Sequence, residues 1–105
     1  MEKFEIRNQV RSAVKTMFTY SLEKKEVIIY NLELKLDIED DNLMESSISI
    51  KRLLSDDEYP FKWFYIQEYA GNYWDMVTEP WVCDLINDIT ECVIKNIEEP
   101  KEKGW

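Results

Sequence analysis

The chain has 105 residues, enough for one domain whose core needs neither a disulfide nor a metal to fold. Its 22 acidic and 13 basic residues leave a formal charge of -9, yet a hydrophobic content of 45% is too high for a disordered chain. Histidine is absent, which excludes Ser-His-Asp and Cys-His catalysis and His-ligated zinc.

Glu2 to Tyr20 has the pattern of an amphipathic helix. Ile6, Val10, Ala13, Val14, Met17 and Phe18 recur at three- and four-residue spacings, and Lys3, Arg7, Arg11 and Lys15 form a basic stripe beside them. The opening residues mix charges with hydrophobics and lack the apolar core of a signal peptide. No run approaches the roughly 18 consecutive apolar residues that span a bilayer. A cytoplasmic protein without membrane contact is expected.

From Val27 the period becomes two. Ile28, Tyr30, Leu32, Leu34, Leu36 and Ile38 alternate with Ile29, Asn31, Glu33, Lys35, Asp37 and Glu39, as in one strand with a buried and a wet face. After Asp40-Asp41-Asn42 the alternation resumes with Met44, Ser46, Ile48 and Ile50. A two-residue loop would turn the second apolar set to the wrong face. A three-residue loop pairs Ile38 with Met44, Leu34 with Ile48 and Leu32 with Ile50, and Asn42 suits the left-handed position of such a loop.

Leu53 to Pro60 reads as a loop exposing Asp56-Asp57-Glu58. Phe61 to Val77 is rich in aromatics and broken by Ala70-Gly71-Asn72, which suggests a second hairpin pairing Lys62–Tyr69 with Tyr73–Val77. A helix is the rival, with Gly71 in its middle costing about 1 kcal/mol. Thr78 is placed to cap a last helix whose buried face is Val82, Leu85, Ile86, Ile89, Val93 and Ile97. Pro100 is expected to end it, leaving 101–105 as a loose tail. The fold class is therefore α+β: a single domain over 1–100, an antiparallel four-stranded β-meander flanked by N- and C-terminal helices, in the order α-β-β-β-β-α.

Cys83 and Cys92 fall on nearly opposite faces of that last helix, roughly 13 Å apart along its axis, too far for a bridge. Free thiols suit a reducing compartment.

Charge is uneven. Residues 1–25 carry Lys3, Arg7, Arg11, Lys15, Lys24 and Lys25 against Glu2, Glu5 and Glu23, a net of +3, so residues 26–105 carry -12. Glu33, Asp37, Glu39, Asp40, Asp41, Glu45, Asp56, Asp57 and Glu58 belong to one hairpin and the loop after it. In the register above, Asp37 lies opposite Glu45, a like-charge pair that stability alone would disfavour. Clustered carboxylates attract basic partners and repel nucleic acid. Aromatics are the second signal: in the expected hairpin Trp63, Tyr65 and Tyr69 share one face, Phe64 and Ile66 the other, and one set must reach the surface unless a partner or a second copy covers it.

Chemistry is hard to place. Glu68 and Asp75 are carboxylates among aromatics, and a catalytic role would need a concave site around them. Asp37, Glu39, Asp40 and Asp41 lack the glycine and the twelfth-position Glu of a calcium loop. No cofactor or metal is expected. The residues fit a small non-catalytic protein-binding module. Its favoured form is an inhibitor of a basic, nucleic-acid-processing protein, of the anti-defence or DNA-mimic type that phages and other mobile elements encode. Glu33, Asp37, Glu39, Asp40, Asp41, Glu45, Asp56, Asp57, Glu58, Trp63, Tyr65 and Tyr69 would form its binding surface. The alternative is a secretion chaperone or toxin-immunity protein that binds through apolar and aromatic surface, as a homodimer or on another chain.

Overall fold

Alternate burial along the strands and a three-to-four-residue rhythm along the helices build one apolar layer. The computed structural model describes residues 2–19, 26–39, 42–53, 59–71 and 79–102. Helix α1 (Lys3–Thr19) precedes strands β1 (Glu26–Ile29), β2 (Leu32–Glu39), β3 (Asn42–Arg52) and β4 (Lys62–Tyr65), followed by a short α2 (Ile66–Ala70) and a long α3 (Glu79–Glu102). The strands form one antiparallel meander in the order β1-β2-β3-β4, as expected of this α+β class; α2 is an addition to the expected order.

Helix α1 lies over β1 and β2, α2 lies beside β3 and β4, and α3 packs against both helices. Ile6, Val10, Val14 and Met17 of α1 meet Leu85, Ile86, Ile89 and Val93 of α3 and the inward residues Leu34, Leu36, Ile48 and Ile50 in a single core. Helices α1 and α3 run antiparallel: Lys3 Nζ pairs with Glu91 Oε1 at 2.5 Å and Arg7 Nε donates to Asn87 Oδ1 at 2.8 Å. At the other end, Phe18 and Trp81 rings meet at 5.9 Å. The basic stripe thus lies along the polar side of α3. An exposed ion pair of this kind contributes about 0–1 kcal/mol. A buried Leu or Ile contributes about 1.5–3 kcal/mol, so the apolar layer decides the packing.

The structure differs from the sequence-based expectation at four points. The single strand expected from Val27 is two strands, joined at Tyr30-Asn31 with Ile29 opposite Leu32. Tyr30 takes the left-handed region at φ 55°, and the Asn31 carbonyl accepts a hydrogen bond from the Leu53 N–H at 2.9 Å. This turn resets parity. Ile29 is buried in β1 while Leu32, Leu34 and Leu36 are buried in β2, and Ile28 faces outward at 61% exposure.

The register of β2 and β3 also differs. Leu34 faces Ile50 and Leu36 faces Ile48, two residues from the expected pairing, and Asn42 pairs with Glu39 as the first residue of β3. The irregularity between Asp37 and Glu39 lets β3 advance five residues while β2 advances two. It restores the parity that keeps both apolar sets inside. Asp37 consequently faces Ser47, so the expected clash with Glu45 does not occur.

The strand expected over Lys62–Tyr69 stops at Tyr65, and Ile66–Ala70 is helical. Continued extension would have turned Glu68 to the same side as buried Ile66 and Ala70; a helical turn buries those two and leaves Glu68 exposed. Gly71 stands at the end of this turn, at φ 55°, with its N–H bonded to the Gln67 carbonyl, which is the helix-ending role of glycine and carries no mid-helix penalty. The expected partner strand Tyr73–Val77 and the cap Thr78 lie outside the described residues. Finally, α3 runs two residues past Pro100, which removes one donor from the last turn without ending the helix.

Two substitutions test this account by urea unfolding. Tyr30→Gly should raise stability by about 1 kcal/mol, because glycine tolerates the left-handed turn and the lost Gln9 Nε2 to Tyr30 Oη bond is exposed. Ile50→Ala, at a fully buried central position, should lower it by about 2–5 kcal/mol. An unchanged midpoint for the glycine variant would mean that the turn carries no strain.

Candidate functional site

With the helices on one side, the other side of the sheet faces outward. Its rows follow from the register. Ile28, Glu33 and Lys51 cross three strands; Glu26, Lys35, Ser49 and Trp63 cross all four; Asp37, Ser47 and Tyr65 cross the remaining three. Acidic and basic groups alternate: Glu33 stands opposite Lys51, Glu26 opposite Lys35, and Lys35 Nζ lies 3.8 Å from Asp37 Oδ1. Trp63 and Tyr65 are 42% and 52% exposed. Burial of the Ser49 side of the face, between Trp63 and Lys35, leaves these rings standing at its β4 margin.

The expected binding residues are therefore divided. Glu33, Asp37, Trp63 and Tyr65 share the outward face, and Glu45 is exposed on the irregular part of β3. Glu39 ends β2. Asp40, Asp41, Asp56, Asp57 and Glu58 lie outside the described residues. Tyr69 does not join Trp63 and Tyr65: the helical turn of α2 directs it to α3, where its hydroxyl donates to Asp88 Oδ2 at 2.6 Å. Phe64 is buried on the side of β4 opposite Trp63 and Tyr65, and Ile66 is buried at the start of α2. Ile28 was missed because the run Val27-Ile28-Ile29 has no parity of its own; the following Asn, a turn former, was the one available signal.

Beyond the outward face, β4 and α2 border an open groove of about 1060 Å³ with α3 as its other wall. Phe61, Phe64, Tyr65, Cys92 and Ile94 supply apolar surface to it. Its charge differs between its ends, and Glu91, which also lines it, is paired with Lys3. Glu68 and Asp88 mark the end near Tyr69; Lys62 and Lys95 mark the end near Cys92. That second end is held by Arg52, whose guanidinium sits 4.1 Å over the Phe61 ring and donates to Asn96 Oδ1. Asn96 Nδ2 in turn donates to the Cys92 carbonyl at 2.8 Å. Glu68 does line a concave site, but as an exposed residue at its mouth; Asp75 lies outside the described residues.

Two groups in this groove have displaced acidities. Burial first, and then the hydrogen bond to Asp88, push the Tyr69 phenol well above its ordinary value. Burial also pushes the Cys92 thiol up, against the opposing pull of Lys62, Arg52 and Lys95. Cys83 and Cys92 are both free thiols, and a protonated Cys92 behaves as part of the apolar wall. Among the described residues no helix is long and apolar enough to cross a membrane, and no group of three or more Cys, Asp or Glu side chains converges to hold a metal ion.

Comparison with known protein families, with curated proteins and with solved structures finds no match to this chain.

The Tyr69–Asp88 bond gives a pH dependence of known sign. The folded phenol holds its proton more tightly than the unfolded one, so the stabilisation is complete below the ordinary value of 10.0 and declines as pH rises above it. In an alkaline titration followed by ultraviolet absorbance, Tyr69→Phe should remove a late-titrating phenol. Loss of an early phase instead would contradict the assignment.

Proposed function

We propose that this protein is a non-catalytic module that docks on a basic protein partner through the outward face of its sheet. The observation that supports the reading is the pair Trp63 and Tyr65, 42% and 52% exposed on a rigid strand at the margin of that face. Rigid aromatics of this kind lose little entropy on binding and anchor interfaces. A net charge of -9 supplies the attraction for a basic partner and speeds the encounter. A partner whose basic surface also takes nucleic acid would be blocked when this protein covers it. Inhibition of a nucleic-acid-processing protein is accordingly the form of the function that the acidity favours.

The described part of the face is nearly balanced in charge, with Glu26, Glu33 and Asp37 against Lys35 and Lys51. That balance gives weight to the second reading, a chaperone or immunity protein in which the aromatics and Ile28 carry the affinity.

Affinity capture on immobilised protein separates the two. A Trp63→Ala/Tyr65→Ala variant should retain at least about tenfold less of the captured basic protein, the loss expected when interface anchors are truncated. Raising salt from about 50 to 300 mM should release it, because screening shortens to a few ångströms. Salt-resistant capture that still needs the aromatics selects the chaperone-like reading. Capture that ignores both substitutions overturns the site.

A further inference from the structure

The groove between β4 and α3 has features that the outward face does not. Along α3 Cys92 falls between Asp88 and Lys95, and along β4 and α2 Phe64 falls between Lys62 and Glu68, both nearer the lysines, so apolar wall separates groups of opposite charge. Asp88 and Lys95 are separated on α3 by about 10 Å at the rise of a helix. On the facing wall, Glu68 and Lys62 are separated by about 14 Å along β4 and the start of α2, from the strand and helix rises. In an extended chain, residues four apart point to the same side and lie about 13 Å apart, with the residue midway between them also on that side. The two walls therefore offer matching acidic and basic stations at a spacing that an extended chain can meet with alternate side chains.

We propose that this groove binds an extended segment of a protein partner in which a basic side chain precedes an acidic one by four residues, with an apolar side chain midway. The basic group seats against Glu68 and Asp88, the apolar group against Phe64 and Cys92, and the carboxylate against Lys62 and Lys95. The order follows from direction. Strand β4 runs from the basic end to the acidic end, every pairing in the sheet is antiparallel, and β4 stands last in the strand order. A segment continuing that antiparallel pattern enters at the acidic end, so its cation comes first. Helix α3 presents Asp88 and Lys95 as exposed side chains, and α2 presents Glu68 likewise, so these stations face a ligand without rearrangement of the core.

The proposal rests on the reading of the protein as a docking module but turns on the charges of Glu68, Asp88, Lys62 and Lys95, although Trp63 and Tyr65 also border the groove, so the two are tested by different variants. The probes are two fluorescein-labelled capped peptides with the cores Lys-Ser-Leu-Ser-Glu and Glu-Ser-Leu-Ser-Lys, titrated by anisotropy at low salt. Wild-type protein should bind the first about fivefold more tightly than the second, as expected for two part-exposed charge contacts. The Glu68→Lys/Lys95→Glu variant, altered at two exposed positions, should fold normally by circular dichroism and abolish the preference, because Asp88 and Lys62 remain and each end then carries one charge of each sign. Should both peptides bind the wild-type protein equally, or neither bind at millimolar concentration, the proposal is overturned. The same holds if a concentration-dependent dimer, seen by sedimentation, competes with the first peptide, which would assign the groove to a second copy. The Glu68→Lys/Lys95→Glu variant lies off the rows of the outward face and should keep the partner capture that depends on Trp63 and Tyr65, so failure of one reading is distinguishable from failure of the other.

Discussion

Among the described residues the helices pack on one side of the sheet, and this asymmetry governs the molecule. A strand sends alternate side chains to opposite sides, and helices α1, α2 and α3 cover one of them. Leu32, Leu34, Leu36, Ile48 and Ile50 are sealed beneath the helices at 0–2% exposure. Each such side chain is worth more than an exposed ion pair by a few-fold. Pairs such as Lys3–Glu91 orient the helices at their polar margins, while the apolar layer holds them. The described buried polar side chains are all satisfied: Thr90, for instance, donates to the Ile86 carbonyl at 2.7 Å within α3.

Keeping every strand in parity with that single covered side takes two local devices. At Tyr30-Asn31 a tight turn accepts a tyrosine in the left-handed region, which allows Ile29 and Leu32 to face the core from adjacent strands. Between Asp37 and Glu39 an irregularity adds residues to β3 and brings Ile48 and Ile50 to the same side as Leu34 and Leu36. Both devices exist because a one-residue slip would move an entire apolar set into water. Their by-product is the outward face, on which the described residues Glu26 and Glu33 stand opposite Lys35 and Lys51.

The same asymmetry shapes the surface around β4. Its odd residues Trp63 and Tyr65 go outward, and Phe64 goes inward. Where the chain leaves the sheet at Ile66, the helical turn carries Glu68 and Tyr69 toward α3 and opens a groove polarised between acidic and basic ends.

The residue order alone determined the α+β class, both long helices and their buried faces, the inward placement of Leu32, Leu34, Leu36, Ile48 and Ile50, though not of Ile38, which is exposed, and the split of Phe64 from Trp63 and Tyr65. Those features follow from local periodicity, which is written in the chain. Tertiary structure decided the rest. The division of 26–39 into two strands, the register that sets Asp37 against Ser47, and the helical turn at Ile66 each depend on which side chains a distant helix will cover. The groove depends on it most, because Glu68 and Lys95 become neighbours of one site only when α3 folds back along β4. Local pattern states which residues prefer burial; only packing states what lies across from them.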